Sequence, residues 1–285
     1  MVTTVVAVTG SEGFVGRRVV DSLTRSPGIE VIRIVRPGSH VEPRAGSRIV
    51  AADVLADAAE HPLEAVRADV LVHLAWRGLN DFHSLEHQDQ VAAHVRFIAR
   101  SIELGVQRIV CAGTCLEYGF VAGEVDEGSP AQPTVAYARA KNDLHRALVA
   151  IAHDTAVSWL WARIFYPFGP GQHPKSLWAS LQHAIDRNAP TFPMSPGLQV
   201  RDYLPVEEVG EVLARLAYAD VQGVLNVCSG RPVVLRELVE GWVRDRGSDI
   251  TLEPGVYDYP DYEPMEFWGS RRRLDDALAA AKGCD

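Results

Sequence analysis

The chain has 285 residues, 47% of them hydrophobic and 23% charged, enough to bury a large core in one big domain or one and a half. Its net charge of −9 leaves no basic surplus to neutralise a phosphate backbone, which argues against a nucleic-acid partner. The N-terminus MVTTVVAVTG has no basic leader and enters a strand at once, and no apolar stretch reaches the roughly 18 residues of a membrane span, so a cytoplasmic protein without a membrane partner is expected.

The apolar run Val5 to Val8 predicts the first strand, and it leads directly into Thr9-Gly10-Ser11-Glu12-Gly13-Phe14-Val15-Gly16. A strand that enters a glycine turn and then a helix aims unpaired backbone N–H groups and the positive end of a helix dipole at one point, which makes a phosphate cradle. Gly10 allows the turn, Gly13 lets a pyrophosphate approach the backbone, Gly16 brings the helix close to the sheet, and Phe14 and Val15 open the helix with free N–H groups. The spacing is G-x-x-G-x-x-G rather than the commoner G-x-G-x-x-G.

A second strand, Val31 to Val35, ends at Arg36-Pro37-Gly38-Ser39. About 20 residues beyond such a glycine turn, an acid holds a ribose 2′-OH or an arginine reads a 2′-phosphate. Arg36 occupies this place, with Ser39, Arg17 and Arg44 as candidate helpers, while the nearest acid, Glu30, is at the wrong end of the strand. NADP(H) is therefore the expected cofactor; the alternative is that Arg36 stacks on adenine without reading the phosphate.

Further β-branched runs follow at Ile49 to Ala52, Val70 to Leu74, Ile109 to Ala112 and Val157 to Ile164. Between them, Val91, Val95, Ile98 and Ile102, then Leu144, Leu148 and Ile151, recur at helical spacing. This alternation predicts a doubly wound α/β fold of Rossmann type, a mostly parallel sheet with helices on both faces. Past residue 165, Tyr166-Pro-Phe-Gly-Pro-Gly171 and Pro190 to Gly197 break the pattern. Residues 1–165 are expected to form the dinucleotide-binding domain and 166–285 mainly a smaller substrate-binding lobe, interleaved with the first.

Tyr137 and Lys141, four apart at the start of a predicted helix, leave the same face. A phenol with an ordinary pKa of about 10 is a poor acid or base at neutral pH, and an ammonium one turn away favours its phenolate and brings it into range. Alone, the pair also fits a solvated helix face. Thr114, in Gly113-Thr114-Cys115-Leu116-Glu117-Tyr118-Gly119, falls beyond the carboxyl end of the fifth strand, where open parallel sheets bind ligands.

Six segments in order, TGSEGFVG at 9–16, His73-Leu74-Ala75, Thr114 to Gly119, YARAK at 137–141, Arg163 with Gly169-Pro170, and RDYLPVEEVG at 201–210, resemble extended short-chain dehydrogenases/reductases of the branch acting on nucleoside-diphosphate sugars. The resemblance implies Thr114 as the catalytic Ser/Thr, Tyr137 as the acid/base, and Lys141 as the lysine that binds the nicotinamide ribose and tunes the tyrosine. It puts Asp53 and Val54 at the adenine, Leu74 and Ala75 along the cofactor, and Arg201 at the substrate diphosphate, where a salt bridge to Asp202 or a neighbouring glutamate is the alternative. Trp76 falls where the sugar would approach, shaping the pocket or packing. The aromatic tail of Tyr257, Tyr259, Tyr262, Phe267 and Trp268 either covers the nucleotide base or packs the lobe.

Departures from the pattern matter as well. Members that dehydrate sugars carry an Asp-Glu pair just after the catalytic Thr, and Cys115 and Leu116 stand there instead, unable to do that acid/base work. Glu117 could serve only with a different backbone. Tyr166 and the stretch near Gln90 replace customary asparagines. The expected activity is NADPH-dependent reduction of the keto group of a nucleoside-diphosphate 4-keto-6-deoxy sugar, with dTDP as the expected carrier. An NAD-dependent epimerase and a non-catalytic NADP-binding sensor are the alternatives. A homodimer through helices near 84–104 and 134–152 is a family expectation. His73 reads as structural, and His83, His87 and His94 as a solvated or dimer-facing cluster and not a metal site. Cys111, Cys115, Cys228 and Cys284 show no disulfide framework.

Overall fold

The structure, a computed structural model, describes residues 3–39, 41–56 and 61–281, so Lys282 and Cys284 lie outside the described residues. Seven strands form one parallel sheet: β1 (Thr4–Thr9), β2 (Ile29–Val35), β3 (Ser47–Ala51), β4 (Val70–His73), β5 (Arg108–Thr114), β6 (Ser158–Ile164) and β7 (Gly223–Val227), in the order β7-β6-β5-β4-β1-β2-β3. Helices α1 (Phe14–Leu23), α2 (Glu86–Asp89), α3 (Val91–Glu103), α4 (Ala136–Asp154), α5 (Leu177–Asp186), α6 (Val206–Leu216), α7 (Leu235–Asp245) and α8 (Arg272–Ala281) complete the chain.

The doubly wound α/β architecture follows from the strand sequences. Successive side chains of a strand point to opposite faces, so a strand covered on both sides must be apolar throughout. Val6 and Val8 of β1 pack with α1, α6 and α8 through Val20, Leu213 and Leu274, while Ala7 between them packs on the other face with Ile98 of α3 and Leu144 of α4. Each fully buried side chain of this kind, Leu144 among them, contributes about 1.5–3 kcal/mol by leaving water.

Chain segments beyond residue 165 divide between two places. β7, α6 and α8 build onto the large sheet, whereas α5, α7 and the parallel pair Thr191–Met194 and Thr251–Pro254 enclose a small core of their own around Leu181, Phe192, Met194, Val239 and Trp242. Gly123–Val125 pairs with Phe267–Gly269, tying the C-terminal stretch back to the β5–α4 connection. Among the described residues, no helix is long and apolar enough to cross a membrane.

The sheet order fixes where a ligand goes. From β1 the chain steps to β2 on one side, while β4 lies on the other, with Thr9 opposite His73 in register. Loops leaving the carboxyl ends of β1 and β4 therefore diverge, and the crevice between them is the expected binding place in such a sheet.

Candidate active site

Gly10 turns the chain at φ 66°, and a Cβ there would lie 2.8 Å from the backbone nitrogen of Ala75, so the turn is pressed against the loop after β4. A Cβ on Gly16 would lie 2.0 Å from the Gly10 carbonyl oxygen, and only glycine lets the first turn of α1 close over the loop. Gly13 caps α1 without any side-chain hydrogen bond, which leaves the N–H groups of the first turn aimed outward. This cradle would hold a pyrophosphate, and its fit is to an anion held by backbone. Glu12 sits within it, and its carboxylate is taken by Arg33 of β2 through Nε at 3.1 Å and Nη2 at 2.5 Å. Arg33 is completely buried, so a carboxylate that would repel a phosphate is neutralised from underneath.

A cavity of about 1140 Å³ runs on from the cradle. It exceeds the roughly 300–1,000 Å³ of an ordinary small-molecule pocket, as a site for two ligands must. Gly10, Gly13, Phe14, Val15, Arg36, Asp53, Val54, Leu74, Ala75, Trp76, Thr114, Tyr137 and Lys141 all reach its wall. A side recess of about 580 Å³ is lined by Arg36, Ser39, Asp53 and Arg77. Arg36 is exposed there, while the Asp53 carboxylate is paired with the Arg77 guanidinium across the rim. Arg17 and Arg44, expected as helpers, are on neither wall; Arg44 is held by Asp21 at 2.5 Å.

Beneath the crevice runs a directed hydrogen-bond chain. The Thr9 hydroxyl accepts the N–H groups of Leu74 at 3.1 Å and Ala75 at 3.2 Å, so its own proton goes to His73 Nδ1 at 3.0 Å. An imidazole accepting at Nδ1 carries its proton on Nε2. His73 Nε2 thus donates to His94 Nδ1 at 2.8 Å, and His94 Nε2 to Gln90 Oε1 at 3.4 Å. Gln90 fastens the next loop, accepting the Arg77 N–H at 3.0 Å and donating to the Arg77 carbonyl at 3.2 Å. Burial holds both imidazoles neutral, His73 down to about 3 and His94 lower still. The expectation of a solvated or dimer-facing cluster is corrected: His87 and His94 are wholly buried, and only His83 is exposed. Burial beside an aromatic wall leaves each ring a hydrogen-bond partner other than water, His87 taking the Trp76 N–H at 3.0 Å.

Thr114 ends β5 and caps the single turn Cys115–Tyr118, accepting the Leu116 N–H at 3.3 Å. Tyr137 opens α4, where its N–H is satisfied by the Phe82 carbonyl at 3.0 Å and its ring stacks on Phe82. Lys141, one turn on, is buried with Nζ donating to the Ala112 carbonyl at 2.8 Å and lying 4.0 Å from the Trp76 ring centre. Burial brings its ammonium down to about 8. The expected lowering of the Tyr137 pKa by this neighbour is not what the site shows. Burial pushes the phenol up, Glu117 adding to the effect, while a hydrogen bond with Thr114 pulls the other way. Tyr137 therefore keeps its proton, as a donor must.

The sequence matches the model of the NAD dependent epimerase/dehydratase family over residues 6–228. The chain belongs to this family. It is 28% identical over 269 residues to a dTDP-6-deoxy-L-talose 4-dehydrogenase (NAD(+)) of Aggregatibacter actinomycetemcomitans, covering 93% of this chain and 99% of the relative. Its fold is similar to a UDP-N-acetylglucosamine 4-epimerase from Methanobrevibacter ruminantium M1, with a TM-score of 0.84 at 23% identity over 96% of this chain and 92% of that one. A UDP-glucuronic acid 4-epimerase from Bacillus cereus, in complex with UDP-glucuronic acid and NAD, gives 0.81 at 18% identity over 97% and 93%. The protein is thus an enzyme-family member with a nicotinamide-dinucleotide fold.

In this epimerase/dehydratase family member Arg201 departs from expectation, and Glu117 does not serve the cavity. Arg201 is buried and off the cavity wall, its Nη1 donating to the carbonyls of Val200 at 2.9 Å and Met265 at 3.2 Å, and its Nη2 to Pro264 at 2.7 Å and Glu263 at 3.2 Å. Both terminal nitrogens, the fork that would grip a diphosphate, are thus spent on protein, and the salt-bridge alternative describes Arg201, with Glu263 rather than Asp202 as the partner. What Arg201 holds is Glu263, which does reach the cavity and also takes the Tyr166 hydroxyl at 3.0 Å. Glu117 points away from the cavity into the core, accepting from Thr114 N–H at 2.8 Å, Trp161 Nε1 at 2.9 Å and Arg163 Nε at 3.0 Å. Its partners are all donors, the set an ionised carboxylate takes, although burial itself pushes the carboxyl up. Cys115 and Leu116 do line the cavity, and burial pushes the Cys115 thiol up so that it stays protonated. Of the aromatic tail, Tyr262 reaches the cavity, Phe267 packs with Tyr118 and Phe165, and Tyr257 is exposed. Arg33 and Glu263 escaped the sequence reading, and Gln90 entered it only as a departure from a customary asparagine; of the first two only Arg33 left a signal, a charge in the middle of a strand buried on both faces.

Proposed function

We propose that this protein is an NADPH-dependent reductase of the 4-keto group of a dTDP-linked 6-deoxy sugar. One observation carries the reading: Thr114, Tyr137 and Lys141 converge on the cavity that begins at the glycine cradle, while Cys115 and Leu116 offer no acid or base for removing a hydroxyl. A 4-dehydrogenase, as the curated relative is named, and a 4-ketoreductase are the two directions of one hydride transfer.

Bound nicotinamide would supply the hydride. The chain's own groups handle the oxygen. Tyr137, which keeps its proton in the buried site, delivers it to the sugar oxygen, and the Thr114 hydroxyl donates a hydrogen bond to the same atom as it gains charge. Lys141 places a cation on the wall of the same cavity, for the ribose, while Gly10, Gly13, Phe14 and Val15 hold the pyrophosphate. Arg36 and Ser39, at the side recess, read the 2′-phosphate, and Arg36 has no ion pair among the described residues to give up first.

Steady-state rates with dTDP-4-keto-6-deoxyhexoses test the activity, and Tyr137→Phe should lose turnover while binding cofactor. Comparison of kcat/KM with NADPH and NADH tests the cofactor: NADPH should be preferred, and Arg36→Ala should erase the preference. Equal or better use of NADH would remove the NADPH assignment and align the protein with the NAD(+) of its relative's name. Product formation without added cofactor, from protein that purifies with NAD bound, would replace the reductase by an epimerase.

A further inference from the structure

We propose that Trp76 is a positioning residue for Lys141, its indole face holding the lysine ammonium through a cation–π contact. The inference rests on Lys141 being the cation of the site described above. Lys141 Nζ lies 4.0 Å from the Trp76 ring centre, and its hydrogen bond to protein is to a neutral carbonyl, that of Ala112. The neighbouring carboxylate, Glu117, is already taken by Arg163. A buried ammonium loses hydration, and an aromatic face returns electrostatic attraction without adding a carboxylate that would pair with the charge and withhold it from a ligand.

Trp76 is fastened in a way that space-filling does not require. Its Nε1–H donates to His87 Nδ1 at 3.0 Å, His87 Nε2 donates to the Asp81 carbonyl at 2.8 Å, and the indole stacks on His94 at 4.7 Å with planes 2° apart. Tyr137 meets the same ring edge-on at 6.0 Å. One indole thus stands between two buried imidazoles, the tyrosine proposed to deliver the proton and the lysine proposed to supply the cation.

The charged and titratable groups facing Lys141 are Cys111 on β5, Glu117 in the turn after β5, His73 on β4 and His94 on α3, while Tyr137, on its own helix, meets the same indole. Between pH 6 and 10 both imidazoles stay neutral, burial keeps the Cys111 thiol up at about 12, and burial holds the Tyr137 phenol above its ordinary range. Burial brings Lys141 down to about 8, inside this window.

The chain has three lysines, Lys141, Lys175 and Lys282, so lysine labelled with ¹³C at Cε gives three side-chain signals, and Lys141→Met assigns the one that matters. In Trp76→Leu the Lys141 signal should titrate about half to one pH unit lower than in the unaltered protein, and Trp76→Phe should fall between. A tetrafluorinated indole at position 76 keeps the shape and withdraws the ring charge, so it should move the titration in the same direction even if Trp76→Leu fails to fold. An unmoved Lys141 signal in the fluorinated protein overturns the proposal. The titration needs no substrate, so it stands or falls separately from the reductase reading, which fails if the unaltered protein turns over no keto sugar.

Discussion

Lowering the pH from 7.5 to 5.5 should destabilise the protein through its buried histidines. In an unfolded chain an imidazole takes up a proton as pH falls through about 6.5. In the fold, burial holds His73 down to about 3, His94 lower still and His145 to about 4. Unfolding therefore binds protons across this window, and stability falls as pH falls. Each imidazole accounts for about 1.3 kcal/mol between these two pH values, about 4 kcal/mol for the three, a large part of the 5–15 kcal/mol of a typical domain. Burial pushes the carboxyls of Glu117 and Asp202 the opposite way, but each accepts several N–H donors that favour the ionised form. Urea unfolding at constant ionic strength, extrapolated to water at each pH, measures the difference, and His94→Asn should reduce it by about a third. A stability that stays flat or rises toward pH 5.5 would refute the buried neutral chain from Thr9 to Gln90.

Glu117→Gln leaves Arg163, a buried guanidinium, without its counter-charge and should cost about 3–5 kcal/mol in urea unfolding, with Thr114 losing its anchor and turnover falling. Arg33→Met should weaken dinucleotide binding at least about tenfold, by leaving the Glu12 carboxylate uncompensated in the cradle, and Glu12→Gln in the same chain should restore it, as read by NADPH fluorescence titration. Gly16→Ala puts a methyl 2.0 Å from the Gly10 carbonyl oxygen and should abolish that fluorescence change.

Six of the seven strands of the sheet were legible, the inner ones because a strand buried on both faces spells a continuous apolar run, and the half-exposed edge strand β3 through its short run Ile49 to Ala52. β7 was not: Gly223–Val227 is five residues long with Asn226 inside it, and nothing local says that it returns to the large sheet. The cradle and the Tyr137/Lys141 pair were legible because turn glycines and a one-turn spacing are local properties. Arg201 shows the limit. Its charge was plain, but its partner Glu263 is 62 residues away, and only the folded chain shows which of several glutamates reaches it. The same holds for His73 and His94, whose hydrogen bond crosses from a strand to a helix 21 residues later.

Gln90 holds the Arg77 backbone by both its N–H and its carbonyl, and Gln90 is in turn joined through two imidazoles to the first strand. The stretch carrying Trp76 and Arg77 is therefore bolted to the middle of the sheet and moves with it as one body. Any change in the width of the cavity should then fall to the part of its wall where Gln172, Lys175 and Trp178 come from segments that no strand of the large sheet contains. A ligand that tightens this cavity should therefore do so by drawing in the segment of α5 and leaving the stretch of Trp76 and Arg77 where it is.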